Sequence, residues 1–533
     1  MSTMISAQDL RALMAAEQAY ALFDIREAGE YNFQHIASAT LLPRGEIEFR
    51  IAALVSAPST PVIVYDDLSG RADLAAVTLQ SLGYEQVKVL QGGLANWIGA
   101  GCATASGVNV PSKEFGERVH VESHVPELTP EDLCARQARG ERLIIWDMRT
   151  PEEYSRFSIP GSCNVPGGEL IQHCYDLSRM PDTTVVIHCA GRTRSIIGTQ
   201  SLQLLGLRNV CALKNGTMGW LLAGFELEQR PNRRAPAPSS PGKSHAETLA
   251  AQIIQQEGIP LATAQDLERF IRERSRRVFY LFDVRSLEEY ASGHIRTSLS
   301  VPGGQAVQRS DDFVAVRSGT IVFACDTGAR SVMAAYWYRK MGFKNVYALE
   351  RGLQSWVDAG HELEKGSSPE LAPALKYAQN SVPLILASDL AARLCQQTKP
   401  VVLDVGKSSE YKNLHIPGAQ WLSRGWLELK IPTLFPDHNQ SIVVTCRDGR
   451  RSALAGKSLQ DLGYTNVFVL KDGVQSWARE GRPTDTGLGD ALSEPNDVVT
   501  PASQSGDRDA MLRYLEWESE LGDKYRAAKE GRA

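Results

Sequence analysis

Four times along the chain a short apolar run ends in an aspartate: Leu22-Phe23-Asp24, Ile145-Trp146-Asp147, Leu281-Phe282-Asp283 and Val402-Leu403-Asp404. Other runs, such as Val185-Val186-Ile187 and Ile442-Val443-Val444, are apolar and β-branched throughout. That is the pattern of strands buried on both faces of a parallel sheet. Each is followed by a Gly/Arg-rich turn and an apolar-periodic helix, stopped by Gly83, Gly206, Gly342 or Gly463. Thr129 with Asp132, and Thr263 with Asp266, predict N-caps of a helix ahead of the first strand. Strand, loop, helix and strand in units of about 110 residues predict an α/β chain of small doubly wound parallel-sheet domains, with ligands at the carboxyl ends of the strands.

The four units share one punctuation. Six residues after each Asp stands Glu30-Tyr31, Glu153-Tyr154, Glu289-Tyr290 or Glu410-Tyr411. Forty-two residues after it stands Asp66, Cys189, Cys325 or Cys446. Gly93, Gly216, Gly352 and Gly473 follow 27 residues further on, and Trp97, Trp220, Trp356 and Trp477 follow at 31. Offsets held without insertion identify four copies. The copies are 123, 136 and 121 residues apart, and the longest gap contains the Pro/Ser/Arg-rich stretch from Arg230 to Ser244. The expected organisation is two tandem pairs: domain 1 over 1–105, domain 2 over 122–229, a linker over 230–257, domain 3 over 258–366, domain 4 over 382–484, then a polar linker and C-terminal helix over 485–533. Repeats 1 and 4 share Pro43-Arg44-Gly45 and Ser423-Arg424-Gly425, whereas repeats 2 and 3 share Val165-Pro166-Gly167-Gly168 and Val301-Pro302-Gly303-Gly304. This marks an old duplication with later divergence. In the tail, Tyr514, Trp517, Leu521 and Tyr525 form a stripe at helical spacing. It predicts a helix docked on its own domains, with a homodimer contact as the other reading.

Composition narrows the class. Hydrophobic residues at 43% and charged residues at 22% suit a soluble globular protein and exclude a disordered or collagen-like one. A net charge of −5 provides no basic field for nucleic acid or anionic membrane. No apolar stretch reaches the roughly 20 residues that span a bilayer. The apolar spacing of residues 1–24 is broken by Asp9, Arg11 and Glu17, which excludes a secretory signal. Nine irregularly spaced cysteines exclude a disulfide scaffold and point to reduced thiols in the cytoplasm.

The chemistry is expected in three loops: Cys189-Ala190-Gly191-Arg192-Thr193-Arg194-Ser195, Cys325-Asp326-Thr327-Gly328-Ala329-Arg330-Ser331 and Cys446-Arg447-Asp448-Gly449-Arg450-Arg451-Ser452. Each places a thiol between a buried strand and a helix. Backbone N–H groups and the helix N-terminus there favour negative charge on sulfur. With Arg194, Arg330 and Arg451 they are expected to depress the thiol pKa well below the usual ~8.5. Cys189, Cys325 and Cys446 are therefore the candidate nucleophiles. The candidate substrate-binding set is Arg192, Arg194, Ser195, Arg330, Ser331, Arg447, Arg450, Arg451 and Ser452, and no metal ligand set is expected. Cys102, Cys134, Cys163, Cys174, Cys211 and Cys395 recur in no other repeat and read as small buried hydrophobes. The four Asp residues, the Gly residues and the Trp residues read as structural. His35, His294 and His415 are unlike general bases, because repeat 2 has Ser158 at that position.

Asp-x-Arg, Glu-Tyr, His-Ile-Pro-Gly-Ala, Cys-x4-Arg-Ser and Gly-x3-Trp in this order resemble the rhodanese (thiosulfate sulfurtransferase) family. The resemblance covers roughly residues 5–101, 128–226, 261–363 and 385–482. Repeat 4 departs at Gly406, where the others have Arg26, Arg149 and Arg285; repeat 1 departs at Asp66. The resemblance implies that Cys189, Cys325 and Cys446 take the outer sulfur of thiosulfate as a persulfide and pass it to a thiol or cyanide. It implies no metal or organic cofactor, and an inactive domain 1. Two other readings stand beside it. Cysteine-dependent phosphatases or arsenate reductases of related fold place Arg six residues after Cys, where here the separation is five. A non-catalytic binding scaffold must explain three intact nucleophiles. Mercaptopyruvate transfer lacks its expected Gly-rich loop. Within the loops, Cys189 and Cys446 each have a net charge of +2 and Cys325 has 0. An anionic donor is therefore expected to prefer the first two.

Overall fold

The computed structural model describes residues 3–16, 18–366 and 373–529. Glu17 and the extreme ends of the first and last expected segments lie outside it. Each repeat folds around a five-stranded, fully parallel sheet. In repeat 1 the order is Thr3–Ile5, Val87–Leu90, Val62–Tyr65, Ala21–Asp24, Thr40–Leu41. The other three repeats reproduce that order. The central strands are buried, as their unbroken apolar runs require: Val186, Ile187, Val322 and Val443 are inaccessible. Helices cover both faces, so every strand C-terminus of a repeat opens on one edge.

Thr129 and Thr263 cap their helices as predicted, accepting the N–H groups of Asp132 and Asp266 at 3.1 Å. A short edge strand precedes each of these helices, Glu127–Leu128 and Leu261–Ala262, so the helix is not the first element. The conserved-offset Gly residues have a steric cause. Gly93, Gly216, Gly352 and Gly473 all have positive φ. A Cβ at Gly216 or Gly473 would lie 2.2 or 2.1 Å from the carbonyl oxygen of Cys189 or Cys446. The Trp residues fill the core and donate their Nε1–H to a backbone carbonyl six residues on.

The chain divides into two compact units, and they are not the tandem pairs expected. One comprises residues 1–108 with 370–499, so domain 1 is paired with domain 4. The other comprises 109–369 with 500–533, pairing domain 2 with domain 3. The motifs shared within each pair are the packing surfaces. In the first unit Gly45 lies against Arg424, where a Cβ would be 2.9 Å from the Arg424 side chain. Arg44 reaches Glu428 at 2.8 Å and Arg424 reaches Glu48 at 2.9 Å, with both arginines buried and both glutamates half-buried. Burial raises the Glu48 and Glu428 carboxyls, but the two guanidiniums outweigh it and hold both below the usual range. In the second unit the backbones of Gly168 and Gly303 meet, and a Cβ on either would come within 3.1 Å of the other.

The expected linker 230–257 contains an 18-residue helix, Ser240–Glu257. Its Ala246, Leu249, Ala250 and Ile253 are buried, so it is a structural part of the second unit. A further helix, Val110–Ser123, occupies the stretch between the first two expected domains. The C-terminal helix Arg508–Lys529 packs on this helix within the second unit, burying Met511, Leu515 and Leu521. Its aromatic stripe clasps Lys113, whose Nζ is 5.0 Å from the Tyr514 ring and 4.8 Å from the Trp517 ring. No described helix is long and apolar enough to cross a membrane.

Candidate active site

Each candidate nucleophile immediately follows the central strand of its sheet, Thr184–His188, Thr320–Ala324 or Ile442–Thr445, which lies beside the Asp-bearing strand. The thiols are enclosed, at 2% exposure for Cys189, 0% for Cys325 and 2% for Cys446. The loop folds back over the sulfur. Cys325 Sγ accepts the N–H of Gly328 at 3.2 Å and that of Ser331 at 3.4 Å. Cys446 Sγ accepts the N–H of Ser452 at 3.4 Å. The Ser hydroxyls lie 3.5–3.6 Å from all three sulfurs. Ser195 and Ser331 also donate back to the loop carbonyls of Arg192 and Gly328 at 2.8 Å.

Domain 1 reveals what the loop holds. Asp66 replaces the cysteine, and its carboxylate accepts the N–H groups of Leu68 at 2.9 Å and Ala72 at 3.1 Å and the hydroxyl of Ser69 at 3.0 Å. Ala72 is the positional equivalent of Ser331 and Ser452. The amide that binds an anion in domain 1 therefore faces sulfur in domains 3 and 4.

The loop arginines do not stand free. Glu153 grips Arg194 through two bonds at 2.7 and 2.8 Å, and Glu289 and Glu30 grip Arg330 and Arg71 in the same way. Against the upward push of burial, Arg194 and Arg330 hold the Glu153 and Glu289 carboxyls down to about 2. The Glu of the Glu-Tyr pair is thus a site residue that the sequence displayed without revealing its role. The paired domain adds a second carboxylate: Glu169 binds Arg330 at 2.9 Å and Glu46 binds Arg451. Arg192 turns to Glu117, with bonds of 2.6 and 3.0 Å, and to Glu127 at 3.2 Å. Arg447 and Arg450 are more than half exposed, beside Glu410 and Asp448. The net charges counted within the loops therefore do not describe the sites.

The expected depression of the thiol pKa is also overturned for two sites. Burial pushes the Cys325 and Cys446 thiols up, and Arg330 and the Ser452 groups only partly oppose it. Of the remaining cysteines, Cys174 is buried as expected, but Cys395 is exposed.

The Cys189 loop has a cover. Glu518 of the C-terminal helix, 1% exposed, accepts the Thr193 hydroxyl at 2.6 Å and the Thr193 N–H at 3.4 Å. A Cβ at Gly191 would lie 3.1 Å from Glu518 Oε2 and 3.5 Å from the Tyr514 ring. A carboxylate thus lies on one of the loop's own amides, that of Thr193. Nothing in the spacing of the repeats signalled it, because the helix lies outside them.

The remaining shared residues are structural. Asp24, Asp147 and Asp283 each bind their Arg through Nε and Nη2. His35, His294 and His415 stack on the preceding Tyr rings at 3.7–3.9 Å. Ser158 instead bonds Asp147 at 2.6 Å.

The Rhodanese-like domain family model matches residues 6–100, 129–223, 263–359 and 386–480. The chain belongs to the rhodanese family. A crystal structure of a thiosulfate sulfurtransferase from Pseudomonas aeruginosa resembles it over 99% of this chain and 98% of that one, at 36% identity and a TM-score of 0.90. A sulfurtransferase of Allochromatium vinosum is 29% identical over 97 residues, which are 18% of this chain and 89% of that protein. A thiosulfate sulfurtransferase of Escherichia coli is 34% identical over 65 residues, 12% of this chain and 62% of that protein. All four sheets thus belong to rhodanese domains, and three of them carry a cysteine where domain 1 has Asp66.

Proposed function

We propose that the chain is a sulfurtransferase that moves sulfane sulfur from thiosulfate, or a donor of that kind, through persulfides on Cys189, Cys325 and Cys446 to a thiol or cyanide. The observation that carries this reading is the shared amide: it binds the Asp66 carboxylate in domain 1 and faces sulfur in domains 3 and 4. The relatives named as sulfurtransferases support it.

The thiolate attacks the outer sulfur of thiosulfate. The S–S bond of the donor breaks, its electron pair leaves with sulfite, and the enzyme keeps a persulfide. A thiolate or cyanide then attacks the terminal sulfur and restores the cysteine thiolate. Loop N–H groups stabilise the charge at each stage, and the Glu-held guanidinium fixes the loop shape that aims them. Domain 1 has a carboxylate where the persulfide would form, so its role is to pack against domain 4. Nine unpaired thiols support the cytoplasm as the compartment.

Intact-protein mass after thiosulfate treatment tests the reading. One added sulfur per working cysteine is expected, removable by cyanide with release of thiocyanate. No added sulfur on any of the three cysteines would falsify it, and hydrolysis of an aryl phosphate without sulfur transfer would replace it with the phosphatase reading.

A further inference from the structure

Domain 4 differs from its three siblings at one position beside the cysteine loop. In domains 1, 2 and 3 an Arg two residues after the strand-end Asp puts Nη2 on that carboxylate at 2.6–2.7 Å. The same Nη2 donates to a carbonyl ten residues after the Asp, on Gln34, Phe157 or Gly293, at 2.5–2.6 Å. The fold thus builds a two-acceptor seat for one guanidinium. In domain 4 the Arg is Gly406, while Asp404 and the equivalent of the carbonyl residue, Leu414, are retained.

Asp404 and Leu414 both line a cleft of about 340 Å³, together with Glu410, Arg447 and Gln475 among others. Asp404 is 2% exposed, and its Oδ1 accepts the Gly406 N–H at 2.8 Å. No salt bridge to it forms among the described residues. Glu410 is already met by Arg447 at 3.5 Å, so the carboxyl left without a cation is that of Asp404. A buried carboxylate without a cation is costly. The cleft adjoins the nucleophile loop, since the Val474 and Gln475 N–H groups bond the Cys446 and Arg447 carbonyls at 2.9 and 3.1 Å.

We propose that this cleft is a binding site for a small organic cation of guanidinium or amidinium type, seated on Asp404 and the Leu414 carbonyl beside Cys446. A planar fork matches the carboxylate through two parallel N–H bonds, as the sibling Arg residues do. A compact ammonium can take only the place of Nη2, and it forfeits the second, parallel bond that Nε makes to the carboxylate. The site is independent of whether Cys446 carries sulfur.

The probe is methylguanidinium, titrated calorimetrically into the full chain. One site per chain in the millimolar range or tighter is expected, with methylammonium weaker by at least about tenfold, roughly 1.4 kcal/mol. Gly406→Arg supplies the guanidinium from within and should abolish binding. Asp404→Asn should weaken it by a similar factor, and it serves as the decisive variant if Gly406→Arg does not fold by circular dichroism. Absence of wild-type binding, equal binding by methylammonium, or unchanged binding by either folded variant would overturn the site.

Discussion

Leu515→Ala should make Cys189 more reactive without touching its loop. Leu515 is 5% exposed and packs with Met511 and Met218 under the C-terminal helix. Truncating such a side chain costs about 2–5 kcal/mol. In the docked state Glu518 occupies the Thr193 amide and hydroxyl, so donor access requires the helix to lift. If lifting precedes reaction, a loss of about 2 kcal/mol from the docked state raises the open population, and the rate, by about thirtyfold. Glu518→Gln retains the packing and removes the charge, so a smaller gain is expected from the weaker hydrogen bond. The assay is thiosulfate loading followed by peptide mass, with Cys325 in the same chain as reference. An unchanged Cys189-to-Cys325 rate ratio in Leu515→Ala, with the helix shown to be loosened by hydrogen exchange, would refute the reasoning.

Three further outcomes are expected. Because burial raises the Cys325 and Cys446 thiols, their loading by thiosulfate should accelerate as pH rises from about 7 to about 9, approaching tenfold per unit; a flat profile for variants retaining only one of these cysteines would contradict it. Burial, reinforced by Glu410, raises the Asp404 carboxyl from 3.8 to about 7, so the folded chain holds this proton more tightly than the unfolded one. That contribution to stability should fall between about pH 4 and pH 7 and then level off, by at most about 4 kcal/mol, and Asp404→Asn should flatten the decline in urea denaturation. Asp66→Ala should change thiosulfate turnover by less than about tenfold while lowering the stability of its own unit by about 1–3 kcal/mol, since three loop donors lose their acceptor; a larger loss of turnover in folded protein would give domain 1 a chemical role.

The four-domain α/β architecture and the position of the nucleophile loops were legible because both are local. Buried parallel strands leave unbroken apolar runs, and the loop with its Gly and Trp marks keeps fixed offsets from the strand-end Asp. The edge strands Glu127–Leu128 and Leu261–Ala262 were missed because two residues carry no period. The helix Ser240–Glu257 was masked by Pro231, Pro236, Pro238 and Pro241, which punctuate its approach and first turn. The electrostatics of the site were misread for a different reason. Arg192 and Arg330 look like unspent charge in a loop, but Glu117 and Glu169 meet them from elements 75 and 161 residues away. Only the tertiary fold supplies those partners.

The pairing of domain 1 with domain 4 and of domain 2 with domain 3 nests one partnership inside the other, like brackets in an equation. Domain 1 leaves the ribosome long before its partner exists, while the inner pair needs only its connecting helix to meet. Closing the outer pair around residues 109–369 as a slack loop would cost about 5 kcal/mol in chain entropy. Folding of the inner unit first replaces that slack with one compact body and shortens the search. The order of synthesis and the order of assembly then differ, with the first domain made among the last to find its mate. A cut between Arg230 and Ser244 would accordingly put the two members of each pair on different fragments, leaving only the buried faces within each pair to hold the fragments together.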